Sequence, residues 1–199
     1  MASKSPLTGI WGESHCGGQF GSALKSAGFD YLIIQGRSRS PVYVSVADGE
    51  IAVRDALRLW GHNTLETTKT VKENEDGDKT AVACIGQAGE NLVRYACVIH
   101  HHGPFTAAAG RAGMGAVMGS KNLKAISVTG SKEIPVADSD RFAKIVEEAT
   151  AMCTAGDWGK AAQDSLGKYG TPNLVGIMNE IGRFPMKNHW TESSRIMRQ

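Results

Sequence analysis

Two stretches of the chain, 94 residues apart, follow one plan: a glycine loop, a short helix, a β-branched strand and a closing glycine. The second copy runs Ala108-Ala109-Gly110-Arg111-Ala112-Gly113-Met114-Gly115, then Ala116 to Lys121, then Leu123 to Thr129 and Gly130. The first runs Cys16-Gly17-Gly18-Gln19-Phe20-Gly21, then Leu24 to Ser26, then Phe29 to Gln35 and Gly36. Superposed, Gly21 meets Gly115, Ser26 meets Ser120 and Gly36 meets Gly130. Glycine lets backbone N–H groups approach an anion, and a helix N-terminus turns its partial positive charge the same way. Two such loops suggest one ligand with two phosphates, or two related ligands. The competing reading is that the glycines serve tight packing alone.

The bulk properties exclude several classes. At 199 residues the chain holds one domain, or one and a half. A net charge of +2, with no basic face or arm, argues against nucleic acid. No apolar run reaches the roughly 20 residues of a membrane span. No signal peptide is visible, so the cytoplasm is the expected location. Four cysteines, Cys16, Cys84, Cys97 and Cys153, lack the spacing of a zinc or iron–sulfur site. Cys84, Cys97 and Cys153 read as buried thiols, whereas Cys16 sits inside the first loop.

Along the chain, Pro41–Val46 alternates, Asp48-Gly49 turns and Ile51–Val53 returns, which predicts a hairpin. Asn63 with Glu66 makes a capping box for a helix to about Glu73. Thr80–Ile85 reads as a strand, Gly86–Asn91 as a loop and Leu92–Ile99 as a further strand. From Asp138 the pattern turns helical, with Phe142, Ile145, Val146, Ala149 and Met152 at helical spacing. A second helix is expected to open with Thr171 as cap and Pro172 as first residue, ending near Gly182. Gly156–Gly170 reads as loop or broken helix. The expected division is a strand-rich α+β domain over 1–133 and a helical segment over 134–199. The ending Arg195–Gln199 carries no stop signal, so the chain reads as cut rather than finished.

Several motifs invite chemistry. Gly113-x-Gly115-x-x-x-Gly119 fits a dinucleotide site poorly, because Phe105–Ala109 makes a weak strand and the next helix is short. In His100-His101-His102, neighbours on extended chain point to opposite faces, so at most two share an ion. A solvated loop at a strand's end is the reading preferred for them. Arg111 suits phosphate oxygens, the alternative being a salt bridge. Glu90-Asn91 leans towards a structural role. Trp11, Trp60, Trp158 and Trp190 are too scattered for a stacking platform and read mostly as core. No acid/base or nucleophile set stands out, and no catalytic residue is assigned.

The motifs together resemble the N-terminal domain of the aldehyde:ferredoxin oxidoreductase family, the tungsten (sometimes molybdenum) pterin enzymes. The resemblance rests on Ser5-Pro6-Leu7-Thr8-Gly9, Gly17-Gly18-x-Phe20-Gly21, Pro41-Val42-Tyr43 and Ile85-Gly86-x-Ala88-Gly89-Glu90-Asn91-Leu92-Val93-Arg94. It continues through Ala108-Ala109-Gly110-Arg111-x-Gly113-x-Gly115, Gly119-Ser120-Lys121-Asn122-Leu123-Lys124-Ala125-Ile126, Lys168-Tyr169-Gly170-Thr171 and Pro185-x-Lys187-Asn188. It implies a two-sheet domain, here with an internal pseudo-repeat, that cradles a bis-pterin metal cofactor and leads into a helical domain. A magnesium ion bridging the two pterin phosphates would be held by backbone carbonyls at His15 and Ala108. Cys16, Gly17, Gly18, Ala109, Gly110 and Arg111 would complete the cofactor-binding set.

The resemblance further implies oxidation of aldehydes to carboxylic acids, with electrons passing through a 4Fe-4S cluster to ferredoxin or another redox subunit. A sister branch is a tungsten-dependent benzoyl-CoA reductase, so an aromatic acyl substrate is the variant reading. A homo- or hetero-oligomer is expected. The family's upstream arginine segment and its cluster cysteines have no counterpart in residues 1–199, so the chain alone is expected to be inactive. His15 stands where an asparagine is common. Thr106-Ala107 replaces a His-Arg pair after a short insertion around His100–Gly103, leaving Arg111 or a histidine to substitute. From another class, a non-catalytic pterin-binding or assembly module competes, and a nicotinamide dehydrogenase fits least.

Overall fold

In the computed structural model, which describes residues 1–185, the chain divides into two compact units, one spanning Met1–Ile134 and the other starting at Pro135. Trp190, Lys187-Asn188 and Arg195–Gln199 lie outside the described residues.

The first unit is built on a six-stranded mixed sheet: β3 (Val42–Ala47), β4 (Glu50–Asp55), β5 (Ala81–Cys84), β6 (Val98–His102), β7 (Phe105–Ala109) and β8 (Leu123–Thr129), in the order β4-β3-β8-β5-β6-β7. Only β3 and β8 run parallel; the other pairs are antiparallel. A separate two-stranded sheet pairs β1 (Ala2–Lys4) with β2 (Trp11–Glu13). The β3–β4 hairpin forms as expected, because Asp48 (φ 44°) and Gly49 (φ 100°) both take the positive φ that a tight primed turn demands. The Asp48 carboxylate then accepts from Ser131 N and Oγ, both at 2.8 Å, fixing the turn to the chain beyond β8.

Strand periodicity divides the core into two layers. On one face Val44, Val46, Ala83, Ile126 and Val128 pack with Met114 and Met118 of α4 (Met114–Ser120) and beneath α1 (Phe20–Ser26). On the other, Tyr43, Val82, Cys84 and Ala125 pack with Val71 of α2 (Thr64–Asn74). Alternate residues of one strand serve opposite layers because successive side chains point to opposite faces. The capping box holds: the Asn63 side chain accepts from Leu65 N and Glu66 N, and Glu66 accepts from Asn63 N.

Some expectations give way. The Gly86–Asn91 loop contains a helical turn, α3 (Gln87–Glu90). The strand expected at Leu92–Ile99 begins only at Val98, since residues 92–97 turn over α4; Leu92 itself sits at φ 57°. Phe105–Ala109, too small and polar to read as a strand, is β7, recruited as the return arm of a hairpin with β6. In the first glycine-loop copy, α1 stands 94 positions before α4, yet Phe29–Gln35 joins no ladder. Trp11 is 72% and Trp158 87% exposed, so neither is core, and Cys153 is exposed rather than buried.

The second unit contains α5 (Ser139–Thr154), capped by Asp138 Oδ1 on Arg141 N at 2.9 Å, and α6 (Gly156–Ala162), which continues as a π-helical turn over Gln163–Gly167. A 3-10 turn, Thr171–Leu174, precedes α7 (Val175–Glu180); its cap is Gly170, one residue before the threonine expected there. The apolar stripe of α5 is present but exposed at Phe142, Ile145, Val146 and Met152.

Candidate functional site

The two loops singled out in the sequence lie side by side. The Arg111 backbone N–H donates to Ser14 Oγ at 3.0 Å across 97 residues of chain, and Ser14 is almost wholly buried. Beside that bond, a Cβ on Gly12 would sit 2.7 Å from Ala112 Cβ, so glycine is what lets the chain entering the first loop pack against the chain that follows Arg111.

Of the residues expected to hold the cofactor, six face solvent: His15, Gly17, Gly18, Ala108, Gly110 and Arg111. Two turn inward. Ala109 is fully buried, and Cys16 packs partly against the core. Burial pushes the Cys16 thiol up from its usual range, opposed by the backbone N–H groups of Ala109 and His100. Nothing lies within 4 Å of where a Gly17 side chain would begin, so its backbone is open to a ligand. Ala108 lies on β7, the edge of the sheet, where alternate backbone groups have no ladder partner. The Arg111 guanidinium makes no ion pair among the described residues, so the salt-bridge alternative finds no partner there and the fork remains available to an anion. Open backbone on two adjoining loops beside a free guanidinium fits a phosphate-bearing group.

The glycines after the second loop do different work. A Cβ at Gly113 would fall 2.0 Å from Arg94 O, at Gly115 2.4 Å from Cys97 O, and at Gly119 1.9 Å from Gly89 O. They allow α4 to lie against the chain over 89–97, and here tight packing is the better account. Gly21, the counterpart of Gly115, has nothing within 4 Å. The two copies match in helix position and differ in what their glycines do.

The three histidines lie within β6 rather than in a loop. His100 and His102 share one face and stack at 5.3 Å, while His101 faces away and bonds Thr106 Oγ1 at 2.9 Å and Thr64 Oγ1 at 3.0 Å. His100 is buried; its Nδ1 donates to Val82 O at 2.8 Å, which leaves Nε2 bare and without a partner. Burial holds the His100 and His101 imidazoles below the ordinary histidine range. The loop rests on these rings: a Cβ on Gly18 (φ 94°) would meet His102 Cδ2 at 2.6 Å and His100 Cδ2 at 2.8 Å. Among the described residues, no cluster of three or more His, Cys, Asp or Glu is placed to hold a metal ion, which leaves backbone carbonyls as the donors to consider.

Sequence reasoning missed Lys124. It is fully buried in β8, bonds Glu90 and His62 O, and Glu90 also accepts from Gly61 N. The only signal was a lone lysine inside the apolar run Leu123–Val128.

Residues 1–130 match the aldehyde ferredoxin oxidoreductase N-terminal domain, and the chain belongs to that family. It is 44% identical over 193 residues to a tungsten-containing aldehyde ferredoxin oxidoreductase of Pyrococcus furiosus, a match covering 96% of this chain and 31% of the relative. A Pyrococcus abyssi protein of the same description is 46% identical over 192 residues, covering 96% and 30%. An aliphatic sulfonate oxidoreductase, WOR-like subunit, of Pyrococcus furiosus is 37% identical over 224 residues, covering 96% and 35%. Among solved structures, the active site complex BamBC of benzoyl coenzyme A reductase, with 1,5-dienoyl-CoA, matches at TM-score 0.72 and 35% identity, covering 77% of this chain and 23% of that one. The chain thus spans about a third of the length of these relatives. No helix among the described residues is long and apolar enough to cross a membrane.

Proposed function

We propose that this chain is the cofactor-binding portion of a tungsten (or molybdenum) bis-pterin oxidoreductase that converts aldehydes to carboxylic acids and passes the electrons to ferredoxin. What supports the reading is the joining of the two loops by Arg111 N and Ser14 Oγ, together with membership of the family. The backbone carbonyls of His15 and Ala108 would hold a magnesium ion at the pterin phosphates. The open backbone at Gly17, with the solvent-facing Gly18 and Gly110, would take phosphate oxygens, and the Arg111 guanidinium would neutralise their charge. Cys16 and Ala109, both turned inward, anchor the loops to the sheet. When bound, the metal would supply two-electron redox chemistry, by which aldehyde and water give the acid, two protons and two electrons. The chain's own residues bind and orient; none is assigned to the chemistry. A 4Fe-4S cluster, in this reading, would need ligands other than Cys16, Cys84, Cys97 and Cys153, whose spacing suits none.

Titration of the chain with inorganic pyrophosphate in the presence of magnesium tests the loop assignment. Binding that needs both components, and that weakens about tenfold in Arg111→Ala, is the expected result, a loss on the order of 1.4 kcal/mol. Indifference to magnesium and to Arg111 contradicts it. The likeness to the benzoyl coenzyme A reductase complex carries a second reading, an aromatic acyl-CoA substrate. Viologen reduction by the protein isolated with its native partners separates the two: aldehyde drives it in the first, 1,5-dienoyl-CoA in the second.

A further inference from the structure

One edge of the six-stranded sheet is left open. β4 (Glu50–Asp55) is its outermost strand, and all six of its residues are exposed. Natural edges are blunted by proline, by lysine, by a bulge or by brevity. Glu50–Asp55 holds neither proline nor lysine, and its register with β3 runs unbroken from Val42–Asp55 to Ala47–Glu50. The turn fixes which backbone groups point outward. In a two-residue hairpin the flanking pair, here Ala47 and Glu50, exchanges both bonds, and bonding then alternates along the strands. Ala56 N donates to Pro41 O at 2.9 Å, in phase with that alternation. Glu50, Ala52 and Arg54 therefore turn their N–H and C=O groups to β3, while Ile51, Val53 and Asp55 turn theirs to the open edge.

The side chains along this edge complement a copy of themselves. Ile51 and Val53 are 53% and 68% exposed and share one face with their buried cross-strand partners Val46 and Val44. Glu50, Ala52 and Arg54 lie on the other face. Glu50 makes no ion pair among the described residues. Arg54 is held by Nε at 3.2 Å from Glu75 Oε1, and its side chain is still half-exposed. A second β4 running antiparallel must set outward residues against outward residues to bond at all. Centred on Ala52, that rule is met: Ile51 stands opposite Val53 of the second copy, and Glu50 opposite its Arg54. Ala52 meets its own counterpart on the two-fold axis, where a small side chain suits the close spacing. Centred on Ile51 or on Val53, the neighbouring allowed registers, no opposite charges stand across from each other.

We propose that β4 is a self-association edge: two copies of this chain pair antiparallel along it, centred on Ala52, and join their six-stranded sheets into one. Ile51 and Val53 of the second copy exchange both main-chain bonds, and the same happens at the symmetric position. Four apolar side chains then cluster about the two-fold axis on one face, and a Glu50–Arg54 pair closes each end on the other. Cross-strand pairs of both kinds favour antiparallel association. The interface is the same patch on both copies, so it closes at a dimer. A strand of six residues falls short of the roughly 1,200–2,000 Å² that a stable complex buries, so the association is weak and depends on concentration. β7, which carries Ala108, is the opposite edge of the sheet. The pairing therefore leaves the cofactor loops open, and it stands or falls independently of the cofactor reading.

Sedimentation of the 199-residue chain over a concentration series tests the association. The expected result is a monomer–dimer equilibrium with a Kd on the order of 0.1 mM. Glu50→Arg sets like charges across the strand pair, so it weakens the dimer more than about tenfold while the circular dichroism stays unchanged. The register is read separately with Ala52→Cys, in a Cys153→Ser background because Cys153 is itself exposed. A non-bonded antiparallel pair brings its Cα atoms to about 4.5 Å, within disulfide reach, so Ala52→Cys chains bridge under mild oxidation. Mass spectrometry of the linked peptide places the bridge at position 52. Lys69→Cys, exposed on α2, serves as the background rate. Three results overturn the proposal: a monomer up to about 1 mM, a dimer indifferent to Glu50→Arg, or bridging in Ala52→Cys no faster than in Lys69→Cys.

Discussion

The Arg111 amide donates to the buried Ser14 hydroxyl at 3.0 Å, and this single bond ties together two loops 97 residues apart in the chain. Removing the acceptor strands a backbone donor, which costs more than the bond itself contributes. Ser14→Ala is expected to lower unfolding stability by about 1–3 kcal/mol in urea and to speed exchange of the Arg111 amide. An unchanged Arg111 amide would mean that the loops do not depend on this contact.

Two glycines with the same apparent motif role are expected to respond in opposite ways. Gly119→Ala places a methyl 1.9 Å from Gly89 O, against backbone that has nowhere to move. Overpacking of this kind costs about 1–3 kcal/mol and occasionally more, and thermal unfolding reads it directly. Gly17→Ala meets nothing within 4 Å and should leave the midpoint unchanged while weakening magnesium-dependent pyrophosphate binding. Equal effects on stability would erase the distinction drawn between the loops.

Lys124 and Glu90 form a buried ion pair with side chains 0% and 4% exposed. Cutting one partner leaves an uncompensated charge, at a cost of about 3–5 kcal/mol. Glu90→Gln and Lys124→Met should each destabilise strongly, and the double variant by less than their sum. Strict additivity in a double-mutant cycle would show the pair to be uncoupled.

Burial holds the His100 imidazole below the ordinary histidine value, so the unfolded chain takes up its proton at higher pH than the folded one. Stability rises with pH wherever the unfolded state binds more protons. The contribution is therefore intact above about pH 6.5, the unfolded value, and falls as the pH drops below it toward the depressed folded value. His100→Asn should flatten the urea midpoint between about pH 6.5 and 5, although His101 shifts the same way and leaves part of the slope. An identical slope in the variant would show that His100 is not the responding group.

Local chemistry was legible in the sequence wherever it decided the structure. Asp48-Gly49 specified its hairpin, and Asn63 with Glu66 specified the start of α2, because turn and cap preferences act within four residues. Long-range pairing was not legible. Phe105–Ala109 became a strand only because β6 offered an edge, and Phe29–Ile34, stronger in composition, found none. The histidine triplet gave its alternation but not its burial, which comes from Phe20 and Gly18 closing over His100. In the candidate site, the nearness of the two loops was suggested by their echo. That Gly113, Gly115 and Gly119 serve packing could be seen only once α4 lay against Gly89 and Cys97.

The most direct test is the pterin and tungsten content of the chain purified from cells that make tungstopterin, measured per chain by pterin fluorescence after oxidation and by elemental analysis. Two pterins and one tungsten per chain, lost together on proline substitution next to His15 or Ala108 while circular dichroism is kept, is the predicted result. Pterin content that survives both substitutions would show that these loops are not where the phosphates are held.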